Sequence, residues 1–180
     1  MLTFVTGNQN KLNEVQKILA TPICSLKLDL PEIQGSADEI TINKCMHAAK
    51  VVNGPVLVED TGLVFSSLAP LPGPYIKHFL PLGLDTLVLL LNAFPDKSCV
   101  ATCTFGYTLG PNHPVQLFRG ECNGTIVSPR GPTNFGWDPI FLPLGSTSTF
   151  AEMDSASKNA ISHRSKAIAL FSKFIDSQSV

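Results

Sequence analysis

The sequence predicts a mixed α/β sheet with a β-rich insertion, and three observations carry that reading. Short β-branched and aromatic runs alternate with helical apolar spacing through the first third of the chain. From residue 98 onward, strand patterns follow one another with no helix between them. At 180 residues and 44% apolar, the chain suffices for one domain, 1–180, or one domain with a lobe.

The opening, MLTFVTGNQNKLNEVQKILA, sets a short strand over 2–5 before a polar turn. Leu12, Val15, Ile18 and Leu19 then recur at helical spacing. The pattern predicts a strand over 23–30, a helix over 38–52 stopped by Asn53-Gly54-Pro55, and a strand over 55–60 with a turn at Thr61-Gly62. Residues 69–83 read as a proline-rich loop with a short helix from Tyr75, and 84–93 as a helix apolar nearly all round, hence buried or at a subunit contact. Strands are expected over 98–109 and 115–120 as a hairpin, and over 122–128. Ser162 is expected to cap a last helix that buries Ala167, Leu170, Phe171, Phe174 and Ile175.

Composition narrows the function classes. A net charge of −1 supplies no global field for nucleic acid or an anionic membrane. The longest purely apolar run, Leu87 to Leu91, is far too short to span a bilayer. Five cysteines, without CxxC or HxxxH spacing and with no signal-like start, fit reduced thiols and a cytoplasmic protein better than a disulfide framework or a zinc site.

Several polar residues stand where local structure does not ask for them. Thr6, Asn8 and Lys11 surround a helix N-terminus, which suits a phosphate, although Asn8 as a plain helix cap is the commoner arrangement. Glu32 follows a strand, and Glu59 and Asp60 end one; strand-end carboxylates suit Mg²⁺, and a solvated strand end is the ordinary alternative. Because strand side chains alternate, Glu59 and Asp60 point to opposite faces. Lys11, Lys44, Lys77, Lys158 and Arg164 are each unremarkable as surface cations. Phe135, Gly136, Trp137 and Asp138 suit stacking on a flat ring, or a hydrophobic plug in a turn. Lys158, Ser162, His163 and Arg164 gather about an expected helix N-terminus, where cations are awkward unless an anion joins them.

With these motifs the chain closely resembles the inosine triphosphate pyrophosphatases over essentially its whole length. TGNQNKLNEV carries Thr6, Asn8, Lys11 and Glu14 of that family's opening pattern, and VEDTGLVF, LPGPYIKHFL, SPRG, FGWDPIF, FAEM and KNAISHR follow in family order. The forms VEDT and PGPYIK resemble its eukaryotic branch. The resemblance implies an elongated mixed sheet with flanking helices, two lobes around a central cleft, and a homodimer. It implies hydrolysis of ITP, dITP and XTP to the monophosphate and pyrophosphate. Thr6, Gly7, Asn8, Gln9, Asn10 and Lys11 would cradle phosphates, with Lys11 also catalytic. Glu32 and Asp60 would hold Mg²⁺ or Mn²⁺, Asp60 also orienting or deprotonating the water. Lys44, Lys77 and Lys158 would line the triphosphate path, with Thr61 at its edge. Phe135, Gly136, Trp137 and Asp138 would grip the base, and His163 and Arg164 would reach its six-position oxygen. A related pyrophosphatase acting on modified pyrimidines and a non-catalytic nucleotide binder are the alternatives; FGWD and SHR speak against the first, and the presence of Glu32 and Asp60 against the second.

Overall fold

The strand–turn–helix opening forms as its pattern dictates. A computed structural model describes residues 1–19 and 22–178. Leu2–Val5 is β1. Asn8 Oδ1 accepts from the Lys11 backbone N–H at 3.1 Å and caps α1, Gln9–Ile18, which buries Leu12 and Val15. Ile23–Leu26 forms β2, shorter than its sequence pattern, because its partner β1 ends at Val5 opposite Leu26. Ser36 and Glu39 close a capping box on α2, Ala37–Val52, which ends at Asn53 in the left-handed region.

β3, Val56–Phe65, runs straight through Thr61-Gly62, where the sequence suggested a turn. A Cβ on Gly62 would lie 2.6 Å from Thr102 Oγ1 and 3.0 Å from the Gly73 carbonyl carbon, so this glycine marks a close approach within a strand. β4 (Pro72–Gly73), α3 (Ile76–Phe79) and α4 (Leu84–Leu90) follow. α4 is shorter than expected and not buried all round: Leu87 is buried, while Leu89 and Leu90 are exposed. β5 is Ser98–Thr108. The two strands expected over 115–128 are one, β6, Gln116–Ile126. β7 is Phe141–Pro143, and α5 (Ser155–Ile161) and α6 (His163–Ser177) end the chain's regular structure. Ser162 closes α5 by donating its N–H to Lys158 O at 2.9 Å, and Leu170 on α6 is exposed rather than buried.

The sheet is mixed, in the order β2-β1-β3-β5-β6-β7, with β4 paired to β3. β1 pairs in parallel with β2 and β3, and β3–β4 and β6–β7 are antiparallel. The chain forms two compact units: 1–61, 103–120 and 163–180, and 62–102 with 121–162.

In the first unit, strand alternation assigns two core faces. Phe4 and Leu57 join Leu12 and Val15 of α1 and Ala167, Ile168 and Phe171 of α6. Val5, Val56 and Val58 join Cys45, Ala48 and Ala49 of α2. Small residues on α2 let it lie close to the sheet, and a Cβ on Gly106 would come within 2.8 Å of Thr41 Cγ2. The second unit has its own core, in which Leu63, Phe65, Leu87, Trp137, Phe141 and Phe150 take part.

Candidate active site

The middle of β3, not a strand end as the sequence suggested, sets out the chemistry of the first unit. Glu59 and Asp60 are 9% and 7% exposed, and charges so buried require partners. Alternation places Glu59 and Thr61 on one face and Asp60 on the other.

On the first face, Arg164 donates to Glu59 Oε1 from Nε at 3.0 Å and from Nη2 at 2.8 Å, and its Nη1 pairs with Glu14. Lys11 Nζ lies 3.4 Å from the same Glu59 oxygen and donates to Thr61 Oγ1 at 3.1 Å. Thr61 also accepts from Arg164 Nη2 at 3.3 Å and donates its proton to Glu59. One donor and two acceptors use the hydroxyl fully. Burial pushes the Glu59 carboxyl up, but Arg164 and Lys11 outweigh it and hold the group well below the usual range. Cys103, 3.5 Å from Glu59, is driven well above the usual thiol range by burial and stays protonated. Arg164 is the second residue of α6, and the start of that helix packs closely on β6 at Gly120. A Cβ on Gly120 would sit 2.1 Å from His163 O and 2.5 Å from Ala167 N.

On the other face, Lys44 from α2 lies 2.8 Å from Asp60 Oδ1 and 3.3 Å from Glu32 Oε1. Asp60 Oδ2 is buried with no hydrogen-bond partner among the described residues, as is Glu59 Oε2. Burial therefore raises the Asp60 carboxyl above its usual range, and Lys44 and Lys11 offset this only in part. Burial works against the charge on Lys44, but Asp60 and Glu32 outweigh it and raise its ammonium. Among the described residues no three of His, Cys, Asp or Glu gather into a metal-holding group. Glu32 and Asp60 do converge on one cation, the Lys44 ammonium, and Asp60 keeps a buried oxygen to spare. Such a pair fits a hard divalent ion that retains several waters.

The remaining phosphate-side residues are less engaged. Thr6 Oγ1 accepts from the Asn8 N–H at 3.1 Å, and Gln9 Nε2 donates to Asn13 at 2.8 Å. Gly7, Asn8, Gln9 and Asn10 are all exposed at the start of α1. His163, the first residue of α6, is buried.

The second unit carries the aromatic loop. Lys158 lies in the last turn of α5 rather than at a helix N-terminus, which removes the expected conflict with the helix dipole for this lysine, while Arg164 stays at the start of α6 and is offset by Glu59 and Glu14. The Lys158 ammonium is 2.5 Å from Asp138 Oδ2 and 4.4 Å from the Phe135 ring centroid. Gly136 has φ +52°, and a Cβ there would meet nothing within 4 Å, so conformation rather than space calls for glycine. It lines a pocket of about 390 Å³ with Leu80, Gly83, Leu84, Asp85, Pro129 and Thr133. Phe135 is half-buried, whereas Trp137 is a core residue packed on Phe141 and Phe150 at centroid distances of 5.4 and 6.4 Å. Lys77 is exposed on α3.

The structure thus gathers Lys11, Thr61 and Arg164 around Glu59, Lys44 and Glu32 around Asp60, and Phe135, Asp138 and Lys158 into a third group. The sequence reading left Glu59, Glu14 and Phe150 out of the site. The signal for Glu59 was present: two adjacent carboxylates on a strand need cations on both faces.

The comparisons agree with these motifs. The model of the Ham1 family matches residues 2–174. The inosine triphosphate pyrophosphatase of Podospora anserina is 56% identical, covering 93% of this chain and 90% of that protein. The inosine triphosphate pyrophosphatase of Scheffersomyces stipitis is 51% identical, covering 98% of each. Among solved structures, a HAM1 protein from Coxiella burnetii superposes with a TM-score of 0.88 at 29% identity, covering 98% of both chains. The Staphylococcus aureus Ham1 protein gives 0.84 at 26%, with the same coverage. A family match over nearly the whole length, with relatives more than half identical, places this chain in the Ham1 family.

Proposed function

We propose that this chain hydrolyses nucleoside triphosphates bearing deaminated purines, ITP, dITP and XTP, to the monophosphate and pyrophosphate, and so clears them from the nucleotide pool. The observation that carries this reading is the 51–56% identity, over nearly full length, to proteins named inosine triphosphate pyrophosphatase. The buried carboxylates of β3, each with its own cations, supply groups suited to the reaction.

The reaction adds water across the α–β phosphoanhydride and needs positioning and charge stabilisation more than a protein nucleophile. Asp60 is the base that orients or deprotonates the water. Its unpartnered Oδ2 has lone pairs to accept a water proton, and burial makes the carboxylate more basic than usual. Lys11 meets the phosphates, exchanging part of its contact with Thr61 and Glu59 for them. Lys44, Lys77 and Lys158 contribute further positive charge, and Thr6 to Asn10 offer polar groups at the start of α1. Arg164 holds Glu59 and Thr61 in place beneath Lys11. Phe135 supplies a ring face, and Asp138 and Lys158 supply polar groups to the base.

The four carboxyl groups of Glu14, Glu32, Glu59 and Asp60 outnumber the three cations they pair with in the first unit, Lys11, Lys44 and Arg164. A polyanion would therefore enter with a counter-cation. Glu32 and Asp60 are the residues that would hold Mg²⁺ or Mn²⁺. When bound, the ion would offset phosphate charge and polarise the anhydride.

The protein is read further as a cytoplasmic homodimer. All five cysteines are free thiols, and among the described residues no helix is long and apolar enough to cross a membrane. The deciding experiment is pyrophosphate release from ITP, XTP, ATP and GTP with and without Mg²⁺, alongside light scattering for the oligomer. Turnover of ITP and XTP well above ATP, and only with the metal, supports the reading. Equal turnover of all four overturns the substrate assignment.

A further inference from the structure

Phe150 is 1% exposed, so no ligand reaches it, yet its ring centroid lies 5.4 Å from Lys158 Nζ. That distance is within reach of a cation–π contact, which matters most where the cation is desolvated, and Lys158 is 6% exposed. Asp138, the Phe135 ring and the Phe150 ring all lie against this ammonium. They are not equivalent. Phe135 sits half-buried on the loop that would receive the base.

Phe150 is locked in the core. Its ring packs on Phe141 at 4.7 Å and on Trp137 at 6.4 Å. Its N–H donates to Phe141 O at 3.0 Å. Thr149 before it is fully buried, with its hydroxyl on Arg130 O at 3.1 Å and its N–H on Glu152 at 2.8 Å. Ala151 after it donates to Asp138 O at 3.4 Å, tying the same segment to the loop's carboxylate residue.

We propose that Phe150 is a positioning residue for Lys158: a fixed aromatic face that keeps the ammonium aimed when a purine engages Phe135. The contact between the two residues stands by itself, and only its link to a purine rests on the activity proposed above. An ammonium only donates, so its placement favours a base that offers an acceptor there. Loosening it costs affinity for that base and leaves Glu59, Asp60 and their cations in the first unit in place.

The test compares Phe150→Leu, Phe150→Tyr and replacement of Phe150 by a polyfluorinated phenylalanine, which keeps the shape and depletes the ring face. The first readout is the NMR shift of the Lys158 Cε protons, which two nearby rings displace upfield. Phe150→Leu should remove part of that displacement and Phe150→Tyr should keep it. The second is kcat/KM for ITP. Phe150→Leu and the fluorinated ring should lower it about tenfold, mostly through KM, with Phe150→Tyr close to wild type. In a Lys158→Met background the same replacements should cost nothing further. An unchanged Lys158 shift in Phe150→Leu overturns the proposal. So does an equal loss with and without the Lys158 ammonium, which would make Phe150 a packing residue only. Should Phe150→Leu fail to fold, the fluorinated ring decides both readouts. A wild-type protein inert toward ITP would sink the activity, while the NMR shifts would still decide whether the contact exists.

Discussion

Arg164 donates to a single oxygen of Glu59 from two nitrogens, Nε at 3.0 Å and Nη2 at 2.8 Å, and neither residue has appreciable access to water. The pair joins the start of α6 to the middle of β3, and it changes what substitution of Arg164 should do. If this arginine read the base, Arg164→Ala would compress the preference for ITP over ATP. In the observed arrangement its first effect is on the fold, because it strands a buried carboxylate. Arg164→Ala should cost about 3–5 kcal/mol, measured by denaturant unfolding. Arg164→Lys keeps the charge and loses the fork, so it should cost less and leave a folded enzyme for the specificity measurement. An Arg164→Ala protein as stable as wild type would show that the pair holds nothing together.

Asp60→Asn should reduce turnover of ITP by about two to four orders of magnitude, the usual contribution of a positioned base. The fold should survive, since Asp60 at neutral pH is a buried carboxylate with one oxygen unsatisfied among the described residues. Circular dichroism and a melting curve beside the assay check both halves. Near-normal turnover would remove Asp60 from the mechanism.

The two carboxylates should give stability opposite dependence on pH. Glu59 is held below its ordinary value of 4.5, so its contribution is fully present above that pH and is lost as pH falls through the lower folded value. Asp60 is raised above its ordinary 3.8, so its contribution is present below that pH and is lost as pH rises through the higher folded value. Glu59→Gln should flatten the acid-side fall of unfolding free energy, and Asp60→Asn should steepen it. Unfolding titrations between pH 3 and 7 provide the measurement (a window set on either side of the ordinary carboxylate range).

The same shift should appear in kinetics. Lys44 lowers the Asp60 value against burial, so Lys44→Met should move the acid limb of kcat/KM to higher pH. A limb that stays in place would mean that another group sets it.

Trp137 and Phe135 should separate. Trp137→Ala empties part of a packed core and should cost about 3–5 kcal/mol of stability. Phe135→Ala should leave the melting temperature nearly unchanged and raise KM for every purine triphosphate through lost stacking, with a further rise for ITP from the lost contact with Lys158. The reverse result would make the tryptophan the base-facing ring.

How far the sequence spoke depended on whether a signal was local. The Asn8 cap, the α2 capping box and the strand alternation around Glu59 and Asp60 are properties of neighbouring residues, and they were legible. Glycines in strands were not. Gly62 read as a turn and Gly120 as the last residue of a strand, yet each sits inside a continuous strand where another piece of backbone passes too close for a Cβ. Those close approaches involve residues far away in sequence. For the same reason the pairing of Arg164 was not legible, since its partners Glu59 and Glu14 lie 105 and 150 residues away. Trp137 offered both readings, ring stacker and core plug, and only its packing on Phe141 and Phe150 separates them.

In β3 the address of each carboxylate is its parity. Glu59 answers to Arg164 and Asp60 to Lys44 because one is an odd and the other an even step along the same strand. Deleting one residue from Val56–Val58 would leave the composition of the site intact and still miswire it, if the strand's N-terminal half kept its pairing. Asp60 would then stand where Glu59 faces Arg164 and Lys11, and Glu59 would take the place of Val58 in the apolar core against α2, leaving Lys44 without its strand carboxylate. Length in this segment is therefore under tighter constraint than residue identity. Val56, Leu57 and Val58 should accept apolar exchange far more readily than any insertion or deletion.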